Sequence, residues 1–319
     1  MTLRCAILDD YQGVALSSAD WGRLDGRVEV RVLREHLTDR DALVGAVEDC
    51  EIVVVMRERT PVDAALLARL PRLRLLITSG MRNASVDVAA ARERGVTVCG
   101  TDSSSVPPTE LTWALILGLA RQVHTESRAM REGGPWQSTV GTDLAGRTLG
   151  LVGLGKIGGR VARIGQAFGM DVTAWSPNLT DERAAGHGVR RAASLHELLG
   201  AAHVVSLHLV LSDRTRGLLG EQELRAMRPG AHLVNTSRSG LVDGPALLRA
   251  LREGRIGGAG LDVYDTEPLP ADDPLRALPN VLALPHLGYV TEDNYARYFG
   301  QAVEDIEAFL AGAPVRELG

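Results

Sequence analysis

The sequence predicts an α/β protein made of two doubly wound parallel sheets. Short apolar runs alternate with stretches of helical spacing through the first hundred residues. A polar segment ending in two prolines then interrupts them, and a second alternating series begins near Thr148. Strand–helix–strand repetition buries a parallel sheet under helices. At 319 residues the chain exceeds what one compact core usually holds, so two domains are expected.

In chain order, Arg4–Leu8, Val28–Leu33, Ile52–Met56, Leu75–Thr78 and Val96–Cys99 read as strands. Asp41–Val47 and Asp63–Leu70 between them have helical spacing, each with an Asp near its start. Thr101–Pro108 reads as a domain boundary. Thr109–Val123 is a nearly all-apolar helix, the pattern of a helix buried on every side. Strand Thr148–Val152 then leads through a glycine loop into helix Lys156–Phe168. Further strands follow at Asp171–Trp175, Val204–Leu207, His232–Asn235, Ala259–Val263 and Val281–Ala283. Helix Gly244–Arg252 lies among them, and Glu292–Leu310 closes the chain.

Composition narrows the function. The formal charge is −5 and no dense basic run occurs, which argues against nucleic acid or an anionic membrane as partner. Cys5, Cys50 and Cys99 are scattered in apolar surroundings, with no metal spacing and no paired framework; buried thiols in a reducing, cytoplasmic compartment are expected. The first residues do not read as a signal peptide, and the apolar stretch Leu111–Ala120 is too short to span a bilayer.

The strongest motif is Gly153-Leu154-Gly155-Lys156-Ile157-Gly158. With 35 glycines in the chain the bare pattern is weak, but here an apolar strand precedes it and an amphipathic helix follows. The first glycine permits the tight turn, the second lets backbone approach a pyrophosphate, and the third packs helix on strand. The pyrophosphate of a dinucleotide would then sit on free N–H groups at the helix start. NAD is the expected cofactor, but the next strand ends in Trp175-Ser176-Pro177-Asn178 and has no acid to repel a 2′-phosphate, so NADP is not excluded.

Three more motifs follow in order: Leu233-Val234-Asn235-Thr236-Ser237-Arg238-Ser239-Gly240-Leu241-Val242-Asp243, then Gly260-Leu261-Asp262-Val263-Tyr264-Asp265-Thr266-Glu267-Pro268, then Leu284-Pro285-His286-Leu287-Gly288. With the glycine loop they resemble the D-isomer-specific 2-hydroxyacid dehydrogenase family, over nearly the whole chain. The resemblance implies a Rossmann nucleotide domain, residues 102–288, inserted into a flavodoxin-like substrate domain of residues 1–101 and 289–319. It also implies an active site in the cleft and a homodimer built through the nucleotide domains. The implied reaction is reversible hydride transfer between NAD(P)H and a small anionic 2-oxo acid, of glyoxylate, hydroxypyruvate or phosphoglycerate type.

By the same resemblance Arg238, Glu267 and His286 form the catalytic set. The chemistry agrees: an imidazolium can protonate the ketone oxygen, a neighbouring carboxylate stabilises that imidazolium, and a planar guanidinium binds carboxylate and carbonyl oxygens together. Cofactor contacts are implied at Gly153, Gly155, Lys156, Ile157, Gly158, Ser176 and Asn178. Further ones are implied at Leu207, His208, Leu209, Thr215, Thr236, Ser237, Arg238, Asp262, His286 and Gly288, with His208 near the cofactor and outside proton transfer. Substrate contacts are implied at Arg57, Ser79, Gly80, Met81 and Arg82, besides Arg238 and His286. Arg82 replaces a usual glycine there, and Val210 replaces a usual proline. Arg57, Arg59 and Arg82 raise the expectation of an anion-selective pocket. Glu267 disfavours formate as donor, since formate dehydrogenases of this superfamily pair the histidine with Gln. The alternatives are a dinucleotide-sensing protein like the C-terminal-binding co-repressors, or a dehydrogenase of another small anion such as phosphite.

Overall fold

The computed structural model describes residues 2–319, which form two compact units: the chain up to Ser104 with Val290–Gly319, and Ser105–Tyr289. The first unit runs β1 (Leu3–Ile7), β2 (Val28–Val32), α1 (Arg40–Val47), β3 (Ile52–Val55), α2 (Ala64–Leu67), β4 (Leu75–Thr78), α3 (Val88–Glu93) and β5 (Thr97–Gly100). The second runs α4 (Val106–Ala120), α5 (Val123–Arg131), β6 (Thr148–Val152), α6 (Lys156–Ala167), β7 (Asp171–Trp175), α7 (Asp181–Ala185) and β8 (Arg190–Arg191). It continues with α8 (Leu195–Ala201), β9 (Val204–Leu207), α9 (Glu221–Ala226), β10 (His232–Asn235), α10 (Gly244–Arg252), β11 (Gly258–Leu261) and β12 (Val281–Ala283). The last helix, α11 (Glu292–Leu310), belongs to the first unit.

Both sheets are wholly parallel. The first has the order β2-β1-β3-β4-β5 and the second β12-β11-β10-β9-β6-β7-β8. Every residue of Ile52–Val55 and of Leu75–Thr78 is buried, as a strand covered on both faces requires. Asp39, Asp63 and Asp87 each accept a backbone N–H at the start of α1, α2 and α3, which satisfies one of the donors a helix start leaves open. The free edge of β5 is covered by the C-terminal tail, where Gly100 N–H donates to Arg316 O at 3.0 Å and Leu318 N–H to Val98 O at 2.8 Å.

Three elements differ from expectation. Helix α2 stops at Leu67, short of the expected Leu70: Arg69 and Leu70 donate to Leu66 O and Leu67 O in tighter turns, and Leu70 itself precedes Pro71, where the helical region is disfavoured. Helix α4 starts at Val106, so Pro107 and Pro108 lie in its first turn. Proline lacks only an N–H that this turn cannot use, and the pair starts the helix where the sequence reading took it for a break. Helix α4 also ends at Ala120; Gln122 turns left-handed at φ 52° and α5 follows as a separate helix with no buried residue. The edge strand β8, two exposed arginines, is too short and polar to be read from periodicity.

In the second sheet the chain starts at β6, moves out to β7 and β8, then returns to β9 and continues to β12. The order therefore reverses between β6 and β9, and a doubly wound sheet opens a crevice at that point beyond its carboxyl ends. The glycine loop follows β6, and the segments holding His208, Arg238, Glu267 and His286 follow β9, β10, β11 and β12. Parallel pairing thus brings all five to one edge.

Candidate active site

The glycine loop is shaped by close backbone approach. Gly153 has φ 108°, and a Cβ there would lie 2.7 Å from the His208 carbonyl; one at Gly158 would collide with the Gly153 carbonyl oxygen. At Gly155 nothing lies within 4 Å. Gly155 caps α6 and no side chain accepts from the first N–H groups of the helix, which leaves them for a ligand. These features fit a dinucleotide pyrophosphate. Lys156 is exposed beside them, and Ile157 packs on the core under the sheet. At the β7 tip Ser176 is half-buried and Asn178 exposed, with no carboxylate on either.

Leu207 is buried at the end of β9, and Leu209 is half-buried against Gly153. Burial pushes the His208 imidazole down to about 4, and its Nε2 lies 3.0 Å from Ser206 Oγ. A ring held neutral at pH 7 is a poor proton carrier there. Thr215 donates to Val210 O at 2.8 Å and accepts from Ser212 N–H at 2.8 Å, so its hydroxyl braces the loop after β9.

After β10, the Thr112 hydroxyl donates to Pro108 O at 2.7 Å and lies 2.8 Å from Thr236 Oγ1. Its single proton is spent on Pro108, so Thr236 donates to Thr112 and offers only lone pairs elsewhere. Ser237 Oγ donates to Leu209 O at 2.7 Å, tying the β9 and β10 loops together. Arg238 is half-buried, with Nη1 donating to Ser237 O at 2.7 Å.

Glu267 and His286 meet directly. His286 Nδ1 lies 2.6 Å from Glu267 Oε2, while Glu267 Oε1 accepts the Tyr264 N–H at 2.9 Å. The His286 ring packs edge-on against Tyr289, with centroids 5.5 Å apart. Asp262 is fully buried; its Oδ1 accepts Leu287 N–H at 2.7 Å and its Oδ2 accepts Gly288 N–H at 2.8 Å. Burial pushes this carboxyl up to about 6 against the pull of those bonds and of His286. Each oxygen keeps a further lone pair. Asn235, Thr112, Tyr264 and Tyr289, none of them singled out from sequence, hold these loops in place. Two of the four stand inside the motifs at Leu233–Asp243 and Gly260–Pro268, which was the available signal.

In the first unit, Arg57 has φ 52° and its Nη1 donates to Ser79 O at 3.2 Å; its Nε lies 3.7 Å from Glu58 Oε2. The guanidinium occupies the space a side chain at Gly80 would need. Ser79 Oγ accepts Arg57 N–H at 2.9 Å, and that hydroxyl is buried in the fold. Met81 and Arg82 are exposed. Among the described residues, no helix is long and apolar enough to cross a membrane, and no group of His, Cys, Asp and Glu is arranged to hold a metal ion.

Residues 113–288 match the family model described as D-isomer specific 2-hydroxyacid dehydrogenase, NAD binding domain. The chain is 40% identical to a glyoxylate reductase of Aeropyrum pernix over 260 residues, 79% of this chain and 77% of that protein. It is 39% identical over 292 residues to the D-3-phosphoglycerate dehydrogenase of Mycobacterium tuberculosis, covering 91% of this chain and 54% of that longer protein. The crystal structure of a phosphoglycerate oxidoreductase from Vibrio cholerae superposes with a TM-score of 0.93 at 39% identity, covering 98% of this chain and all of that one. With the parallel sheets and the glycine loop above, these similarities make the chain a member of the D-isomer-specific 2-hydroxyacid dehydrogenase family, an NAD(H)-dependent oxidoreductase of 2-hydroxy and 2-oxo acids.

Proposed function

We propose that this enzyme reduces a short 2-oxo acid to its D-2-hydroxy acid, with Arg238, Glu267 and His286 as catalytic residues. The observation that carries this is the 2.6 Å bond between His286 Nδ1 and Glu267 Oε2, at the same sheet edge as the glycine loop. A carboxylate on Nδ1 fixes the tautomer and orientation of the ring and leaves Nε2 as the atom that exchanges a proton. His286 Nε2 gives that proton to the carbonyl oxygen in reduction, and takes it from the hydroxyl in oxidation. Glu267 stabilises the imidazolium between the two. Arg238 presents its planar fork to the carboxylate and carbonyl oxygens of the acid. When bound, the nicotinamide supplies or accepts the hydride. Asp262 and Thr236 would serve it as hydrogen-bond acceptors, and the first turn of α6 would hold the pyrophosphate.

On the substrate side, the Gly80 N–H is already donated to Thr101 Oγ1 at 3.0 Å, so the backbone N–H groups of Met81 and Arg82 receive the carboxylate. Arg57 is already engaged with Glu58 and Ser79, which favours a small monoacid such as glyoxylate or hydroxypyruvate over a dianion. Initial rates with NADH on glyoxylate, hydroxypyruvate, pyruvate, phenylpyruvate and 2-oxoglutarate, and reverse rates on 3-phosphoglycerate, test this order. His286→Asn and Arg238→Lys should each lower turnover by at least a hundredfold while NADH binding persists. Wild-type turnover in either variant rules out the mechanism. A homodimer in the cytoplasm completes the proposal. Three free, buried cysteines suit a reducing compartment, and α5 with the segment after it presents the face a second copy would cover.

A further inference from the structure

We propose that Asn235 is the positioning residue of Arg238 and that it acts by fixing the plane of the Ser237–Arg238 peptide. This rests on the role given to Arg238 above. Asn235 is the last residue of β10 and is 1% exposed. Its carboxamide spans the turn that follows: Oδ1 accepts the Ser237 N–H at 3.0 Å, and Nδ2 donates to the Arg238 carbonyl at 2.9 Å. These two groups flank the Ser237–Arg238 peptide. The carbonyl of that peptide, Ser237 O, is the group that receives Arg238 Nη1 at 2.7 Å.

A guanidinium is a rigid planar fork. With a donor spent on Ser237 O, the directions of the others are restricted, so a side chain that pins the peptide groups on either side of that carbonyl aims the fork. Asn235 does this without touching substrate. The tie from Ser237 Oγ to Leu209 O anchors the serine side chain but leaves the Arg238 carbonyl to Asn235. The main chain extends the frame. Asn235 O accepts the Asp262 N–H at 3.0 Å, and the Asp262 carboxylate in turn holds Leu287 and Gly288 beside His286. The proton donor and the substrate fork are thereby referenced to two neighbouring residues on paired strand ends.

The test is a double-mutant cycle on kcat/KM for glyoxylate, with NADH affinity by fluorescence and thermal melting measured on each variant. Asn235→Ala should lower kcat/KM about a hundredfold, the scale of a misplacement near 1 Å, with NADH affinity within about threefold. In an Arg238→Lys background, which has no fork to aim, the same change should cost less than about threefold. Equal factors in both backgrounds overturn the proposal. If Arg238→Lys itself leaves kcat/KM unchanged, the role of Arg238 has failed, a result the single variant shows before the cycle is closed. Asn235→Ser covers the case in which alanine does not fold, since its hydroxyl reaches the Ser237 N–H but cannot span to the Arg238 carbonyl. It should stay folded and still lose most of kcat/KM. Wild-type kcat/KM in either folded variant, or unfolding of both, assigns Asn235 a merely structural role.

Discussion

His286 holds a backbone conformation that L residues rarely adopt, φ 55°. Such a conformation costs on the order of 1 kcal/mol and persists only when surrounding bonds over-determine it. Here the His286 N–H donates to Leu284 O, the ring is bonded to Glu267, and Asp262 holds the next two N–H groups. Asparagine tolerates this conformation better than most residues, so the loss expected for His286→Asn reports chemistry more than backbone disturbance. The β7 tip makes a second prediction at this scale. Ser176 and Asn178 give a ribose edge without charge, so the protein should bind NADPH as well as NADH. Ser176→Asp should weaken NADPH at least tenfold more than NADH, because a carboxylate repels the 2′-phosphate and accepts from the ribose hydroxyls. Equal effects on the two cofactors, measured by titration of nicotinamide fluorescence, would show that Ser176 does not face the ribose.

At the scale of elements, the β6–α6 turn depends on two missing side chains. Gly158→Ala puts a methyl onto the Gly153 carbonyl oxygen, which is backbone and cannot move alone. Dinucleotide affinity should fall by two orders of magnitude or more, and the melting temperature should drop with it. Gly155→Ala, with open space around its Cβ, should keep the melting temperature and weaken only the cofactor. Helix α11 and the tail make a pH-dependent element. Asp305 is fully buried, with Oδ1 accepting from Arg316 at 2.9 Å and Oδ2 without a hydrogen-bond partner. Burial is the largest influence and pushes this carboxyl up to about 7, against the pull of Arg316. Between about pH 4 and 7 the folded chain keeps a proton the unfolded chain has released. Stability therefore falls as pH rises through that window, by up to about 1.4 kcal/mol per pH unit. Asp262 acts in the same direction up to about pH 6. Asp305→Asn keeps an acceptor for Arg316 and cannot ionise, so urea denaturation at pH 5 and pH 7.5 should show a smaller difference than in the wild type.

For the whole molecule, the surface of the second unit argues for self-association. Trp136 is 77% exposed and Val140 95%, and both lie in a segment that Glu126 fastens to α5 through Ser138 and Thr139. An ordered segment that displays a tryptophan has the character of an interface core. Trp136→Glu should shift the mass in solution from dimer to monomer by light scattering; a monomeric wild type would remove the homodimer from the proposal.

Much of this was legible in the chain because it depends on local order. Strands β4, β6, β7, β9, β10 and β12 were placed to the residue and β1, β2, β3, β5 and β11 to within one or two, because a buried parallel strand is an apolar run bounded by polar turns; the two-residue edge strand β8 was not read. The glycine spacing and the order of the Arg238, Glu267 and His286 motifs carried the family, since each is a short segment whose chemistry is written in its own residues. Helix ends were less legible where a proline or a left-handed residue has two uses, as at Pro107 and Gln122. The hydrogen bonds that aim the site were not legible at all. Asn235 spans a turn, Asp262 reaches Leu287 and Gly288, 25 and 26 positions away, and Thr112 on α4 fixes the proton direction at Thr236 in the loop after β10. Sequence by itself determined which candidate residues follow which strand end. Only the tertiary structure decided how they are held, because a hydrogen bond depends on distance and angle between atoms that parallel pairing brings together across long stretches of chain.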